Sequence, residues 1–140
     1  MNAAVTLAIK STLDNVRLIG SAVKGISSLK FHSVRECNYI ETAVVEALTN
    51  IVRHAYQYNP EQLIEIIIEI TSGTICFTIR DEGLSFDPED AEPLSFDPND
   101  VENLPEDGMG IFIFNSIMDE VHYMTMNGKN QLRLVKYTSE

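Results

Sequence analysis

The stretch Glu46-Ala47-Leu48-Thr49-Asn50-Ile51-Val52-Arg53-His54 lies inside a long periodic segment. From about Ser33 to Tyr56 the apolar residues Cys37, Ile40, Val44, Ala47, Leu48, Ile51 and Ala55 recur at three- and four-residue steps. That is the mark of an amphipathic helix, and Pro60 follows its end. At about 100° per residue, Glu46 and Asn50 fall about 40° apart, with Arg53 about 20° beyond Glu46 on the other side. All three leave the apolar stripe, and the small neighbours Ala43 and Ala47 leave room beside them. A carboxylate there can accept a proton, and an Asn carbonyl can ligate Mg2+, which prefers oxygen. The same spacing also describes a plain solvated helix face, so the rest of the chain decides its meaning.

Before this helix, Ala4 to Lys10 reads as a strand, with Ser11 as the N-cap of a helix over about Thr12 to Ile26 and Ser27 to His32 as a connector. After it, Leu63 to Ile70 alternates, with Ile64, Ile66, Ile68 and Ile70 on one face and Glu65 and Glu69 on the other, as in a half-buried strand. Ser72-Gly73 is a turn. In the next strand Ile75, Phe77 and Ile79 share a face, Cys76, Thr78 and Arg80 share the other, and Asp81 has the parity of the apolar face. Gly108 to about Glu120 reads as a buried helix. A last hairpin pairs about Val121 to Met126 with Gln131 to Tyr137 around Asn127-Gly128, a tight-turn signal. This order packs as one helical layer on one mainly antiparallel sheet.

The chain has 140 residues, 44% hydrophobic and 22% charged, which suits one soluble globular domain. Its formal net charge of −11 is concentrated. From Asp81 to Asp107 there are eleven Asp or Glu and no Lys or Arg, so that stretch alone equals the net charge. Such a field repels phosphate backbones and anionic lipid, which argues against direct nucleic-acid or membrane binding. All but one of the five prolines also fall between Gly83 and Gly108, marking a long loop of the kind that often serves as a lid. Within it Leu84-Ser85-Phe86-Asp87-Pro88 recurs as Leu94-Ser95-Phe96-Asp97-Pro98, a local duplication or a coincidence. Cys37 and Cys76 lie far apart, with no CxxC pair and no His to complete a zinc set, and read as buried thiols. With no signal-peptide pattern and no uninterrupted apolar run, a cytoplasmic location is expected.

Two further clusters carry chemistry. A carboxylate at a strand end on the core-facing side needs a donor to offset its desolvation, and an adenine amino group would serve Asp81 in that way. Gly83, two residues on, would let a flat base approach the backbone without a Cβ in the way. An Asp-x-Gly turn is the simpler alternative. Gly108-Met109-Gly110 opens a helix, where backbone N–H groups bind phosphate oxygens. The chain has neither a P-loop nor a G-x-G-x-x-G run. The joint order and spacing of the three elements, rather than any one of them, points to an ATP site.

These elements resemble the boxes of the GHKL ATPases, the superfamily of gyrase-type, heat-shock-90 and histidine-kinase ATP domains. Glu46 to His54 looks like the N box, Asp81-Glu82-Gly83 like the D-x-G adenine box, and Gly108-Met109-Gly110 like the glycine box that closes the lid. The likeness is greatest to the small bacterial anti-sigma factors with serine/threonine protein kinase activity, of the RsbW and SpoIIAB type. It rests on Glu46-Ala-Leu-Thr-Asn50 with Arg53-His54-Ala55-Tyr56, on Phe86-Asp87-Pro88, and on Gly110-Ile111 through Met118-Asp119-Glu120-Val121. Ser85 stands where a second glycine is frequent, and Asp107 where a glycine often precedes Gly108.

The resemblance implies an α+β Bergerat two-layer sandwich over residues 1–140. In it a mixed, mainly antiparallel sheet is covered on one face by about three helices, with an ATP lid at about 84–107. It implies Glu46 as general base on a partner's Ser or Thr hydroxyl, Asn50 as Mg2+ ligand, and Asp81 with Gly83 at the adenine. Gly108, Met109 and Gly110 would surround the phosphates, Arg53 and His54 would neighbour them, and Asn130 would be a polar residue near adenine. The implied function is a Mg·ATP-dependent kinase and anti-sigma factor. It would phosphorylate a STAS-domain anti-anti-sigma antagonist, bind a sigma factor when free of it, and form a homodimer. The alternative is a nucleotide-binding anti-sigma or adaptor module without phosphotransfer. A histidine-kinase catalytic domain fits less well, because no preceding helix offers a phosphoacceptor His.

Overall fold

The computed structural model describes residues 1–85 and 114–138. Strand β1 spans Ala3–Lys10, helix α1 Leu13–Ser27 and helix α2 Val34–Asn50. A π-helical turn, Ile51–Ala55, continues α2, and strands β2 (Leu63–Ile70) and β3 (Thr74–Asp81) follow. A helical turn at 114–117 leads into β4 (Glu120–Met126) and β5 (Lys129–Tyr137). The remainder of the helix expected from Gly108, the duplicated Leu-Ser-Phe-Asp-Pro segments and nearly all of the expected lid lie outside the described residues.

The five strands form one sheet in the order β1-β2-β3-β5-β4, and all four pairings are antiparallel. The alternation in β2 has its expected result. Ile64, Ile66, Ile68 and Ile70 are buried on the same face as Ile75, Phe77 and Ile79 of β3 and Leu132 and Leu134 of β5. They join Val16, Ile19 and Val23 of α1 and Ile40, Val44 and Leu48 of α2 in a single core, closed at one end by Phe114 and Met118. Helices thus cover one face of the sheet, giving the two-layer α+β sandwich.

Local chemistry explains the ends of the elements. Helix α1 is capped by Thr12, not by Ser11: the Thr12 hydroxyl accepts from the Asn15 N–H at φ −127°, ψ 150°. Ser11 still belongs to the strand end, because its N–H donates to the Gln62 carbonyl at 2.8 Å. Ser33 caps α2 by accepting from the Glu36 N–H. The β4–β5 turn places Asn127 and Gly128 at φ 54° and 76°, the left-handed pair a two-residue hairpin requires. Among the described residues, no helix is long and apolar enough to cross a membrane.

Because Ile66 is fully buried at the centre of the sheet's packed face, Ile66→Ala is expected to cost about 2–5 kcal/mol of stability in urea denaturation.

Candidate functional site

The site is built where α2 ends against the end of β3. Glu46 and Asn50 are both half-buried on the last turn and a half of α2, and neither side chain bonds another described residue. A buried apolar flank of Ala43, Ala47 and Leu48 keeps that face fixed to the core. Immediately after Asn50 the hydrogen bonding widens, with the Tyr56 N–H donating to the Ile51 carbonyl at 2.9 Å and the Tyr58 N–H to the Val52 carbonyl at 2.8 Å. A π turn rotates less per residue than an α-helix, so the 100° spacing used to set Arg53 beside Glu46 does not carry past Asn50. Arg53 and His54 are both exposed. Isolated π turns of this kind occur often at functional sites.

The other half of the site is polar and tightly specified. Antiparallel register sets Asp81 of β3 opposite Asn130 of β5. Asp81 is only 7% exposed and Asn130 only 1%. Asp81 Oδ1 accepts from the Asn130 amide at 2.8 Å and from the Gly83 N–H at 2.9 Å. The same Asn130 Nδ2 donates to the Gly83 carbonyl at 3.0 Å, and Asn130 Oδ1 accepts from the Thr125 hydroxyl at 2.9 Å. Among the described residues both of Asp81's bonds fall on Oδ1, leaving Oδ2 to accept from a ligand. Burial pushes the Asp81 carboxyl above the usual range, and the Asn130 and Gly83 donors offset part of that shift.

Two hydrogen bonds from backbone N–H groups join the halves. The Leu84 N–H donates to the Ala55 carbonyl at 2.9 Å, and the Glu82 N–H donates to the Tyr56 hydroxyl at 2.7 Å. Gly83 is pressed against Ala55 so closely that any Cβ would meet its carbonyl and its side chain within 3.0 Å. The expectation that a glycine here clears room for a flat base therefore has a second physical cause, the approach of the helix end. A cavity of about 580 Å3 opens beside Asp81, lined also by Tyr56, Leu63, Ile64, Arg80 and Glu82. A larger one of about 640 Å3, between Tyr39 and Ile40 of α2 and Ile117, touches none of Glu46, Asn50 or Asp81. The cavity beside Asp81 does not reach Glu46 or Asn50 either, so of those three it shares Asp81 alone.

The structure therefore brings Asp81, Gly83 and Asn130 into one bonded cluster and ties it to the helix that carries Glu46 and Asn50. Gly108, Met109 and Gly110 lie outside the described residues. Tyr56 was quoted from the sequence only within the Arg53–Tyr56 run and given no role, and Thr125 was not singled out. Tyr56 reaches a partner 26 residues away, and Thr125 meets Asn130 only through the β4–β5 register. No group of three or more His, Cys, Asp or Glu among the described residues could hold a metal ion.

A family model described as the histidine kinase-like ATPase domain matches residues 9–136. The serine-protein kinase RsbW of Staphylococcus epidermidis is 34% identical over 137 residues, covering 95% of this chain and 86% of the relative. RsbW of Staphylococcus aureus strain JH9 is 32% identical with the same coverage. Among solved structures, the RsbU and RsbW domains of a Mycobacterium tuberculosis protein superpose with a TM-score of 0.67 at 14% identity, over 99% of this chain and 33% of that one. The SiaB–SiaC complex of Pseudomonas aeruginosa gives a TM-score of 0.65 at 12% identity, over 94% and 88%. At such identities the two structures bear on the fold alone, which they share.

The raised carboxyl of Asp81 sets a sign for pH dependence. Between the unfolded and folded pKa values the native state holds more protons, so this group's contribution to stability falls as pH rises through that window. Asp81→Asn removes the titration. In urea melts from pH 4 to 7 the stability difference should move in the variant's favour as pH rises, whereas a constant difference would contradict the assignment.

Proposed function

The chain belongs to the histidine kinase-like ATPase family and is a serine/threonine protein kinase of the RsbW type; from that premise we propose how its residues divide the work of phosphotransfer and which partners it serves. The observation that carries the proposal is the pair Glu46 and Asn50, one helical turn apart, their side chains unengaged by other described residues, on a helix whose end is tied to the Asp81 loop.

In this reading Asp81 accepts from the adenine amino group through Oδ2, while Asn130 and the Gly83 N–H hold Oδ1. Glu46 takes the proton from a partner's Ser or Thr hydroxyl. The freed oxygen forms a bond to the γ-phosphorus as the bond between that phosphorus and the bridging oxygen of ADP breaks, giving a phosphoprotein and ADP. The Asn50 carbonyl would hold Mg2+ with phosphate oxygens and water, and the ion would neutralise charge developing on the phosphates. Gly108, Met109 and Gly110 would supply backbone donors to the phosphates, with Arg53 and His54 as neighbours. The run of acids without Lys or Arg from Asp81 to Asp107 makes cation screening more important here than in a basic lid.

The partners proposed are those of a switch in which one surface event excludes another. The substrate is a STAS-domain anti-anti-sigma protein, the competing partner is a sigma factor, and the kinase acts as a homodimer. Phosphorylation of the antagonist frees the kinase to hold sigma. Kinship to the RsbW kinases supports this assignment.

Incubation of the purified protein with Mg·[γ-32P]ATP and STAS proteins from the same source is expected to label one of them. Glu46→Gln should lower that rate by about 100-fold or more while ATP binding persists, since general bases contribute about 10²–10⁴. ATP binding with no transfer to any STAS protein would move the protein to the adaptor reading.

A further inference from the structure

We infer that Tyr56 is a positioning residue for base recognition, because its hydroxyl fixes the backbone of the Asp81–Leu84 segment against the end of α2; this rests on the adenine role proposed for Asp81. The Tyr56 ring is buried, 8% exposed, and its hydroxyl both accepts and donates. It accepts from the Glu82 N–H at 2.7 Å and donates to the Leu63 carbonyl at 2.7 Å. A phenol has one proton to donate and lone pairs to accept, so it can join these two backbone groups, whereas a phenylalanine ring can join neither.

The chain around Tyr56 is arranged to hold the ring in place. Gln57 and Tyr58 follow at φ 49° and 63°, left-handed conformations uncommon for residues with side chains. They fold the chain back so that the Tyr58 N–H closes on the Val52 carbonyl and the Asn59 N–H on the Tyr56 carbonyl. Burial, with the carboxylates of Asp81 and Glu82 nearby, pushes the phenol pKa up against the opposing pull of the Glu82 N–H. The hydroxyl therefore stays protonated and keeps donating to Leu63 through neutral pH.

The segment after β3 is consequently gripped from two sides. From the sheet, Asn130 holds Asp81 and the Gly83 carbonyl. From the helix, Tyr56 holds the Glu82 N–H and Ala55 holds the Leu84 N–H. Asp81 can tell a 6-amino purine, which donates, from a 6-oxo purine, which accepts, only if its carboxylate keeps one orientation. Without the Tyr56 hydroxyl the Glu82 N–H loses its acceptor in a partly buried place and turns to water, and the helix side of the grip reduces to Ala55. The result is looser discrimination between bases rather than loss of the fold.

The test compares equilibrium binding of Mg·ADP and Mg·IDP, which differ at that purine position and are not turned over. It uses the wild type, Tyr56→Phe and Asp81→Asn, with a melting curve for each. The wild type should prefer ADP. Tyr56→Phe should weaken ADP by about three- to ten-fold, the range of one hydrogen bond, and IDP by less, so the preference shrinks. A merely structural role would weaken both nucleotides alike, whatever the melting temperature does, and an unchanged ADP-to-IDP ratio overturns the inference. If Asp81→Asn also leaves the ratio unchanged, the adenine role of Asp81 falls first. Amide hydrogen exchange in the wild type gives a second reading that needs no variant. Glu82 should be protected more by ADP than by IDP, and equal protection contradicts the proposal.

Discussion

The buried carboxylate of Asp81 is the constraint around which the site is organised. A carboxyl group at the inner edge of a sheet is costly unless donors face it, and two are supplied by quite different parts of the chain. One is the Gly83 N–H, which is local and requires the chain to turn at once after β3. The other is the Asn130 amide, which requires β5 to pair with β3 in one register only. A slip of one residue would turn Asn130 to the other face and strand the carboxylate. The hairpin turn at Asn127-Gly128 sets the β4–β5 pairing, which in turn places the Thr125 hydroxyl on the Asn130 carbonyl oxygen and orients the amide. Asp81 thus depends on the register of three strands.

In the proposed function that polar cluster matters because it is joined to the helix that carries Glu46 and Asn50. Glu46 and Asn50 sit on a face of α2 fixed by the packing of Ala43, Val44, Ala47 and Leu48. The π turn then carries Ala55 and Tyr56 to the loop after β3, where one carbonyl and one hydroxyl accept from the Leu84 and Glu82 N–H groups, with Gly83 between them. A base held by Asp81 and phosphates near Asn50 would therefore be referred to a single rigid unit. Positioning at this level is what phosphoryl transfer chiefly asks of a protein.

Much of this was legible in the sequence, for identifiable reasons. The 3.6-residue period of α2, the alternation of isoleucines in β2 and the parity of Asp81 are properties of single elements, and each is borne out in position. The Asn127-Gly128 turn was equally local. What could not be read depends on contacts between elements. Ser11 looks as good a cap as Thr12 until the Gln62 carbonyl claims its N–H. The π turn keeps Ile51, Val52 and Ala55 on an apolar pattern that an α-helix would also satisfy, so the sequence does not show that the 100° spacing stops at Asn50. Gly83 was read for the space it gives a ligand, whereas the Ala55 backbone alone already demands it. Tyr56 reads as one more apolar residue at the end of a helix, because nothing local shows that its hydroxyl reaches Glu82.

The central claim is that a nucleotide lies between Asp81 and the Glu46–Asn50 face of α2. A crystal structure with Mg2+ and a non-hydrolysable ATP analogue tests it most directly. The account predicts the adenine amino group on the Asp81 carboxylate, Mg2+ on the Asn50 carbonyl, and Glu46 facing the γ-phosphate with room for an incoming hydroxyl. An analogue seated instead in the cavity beside Tyr39 and Ile117, or a metal with no contact to Asn50, would contradict it.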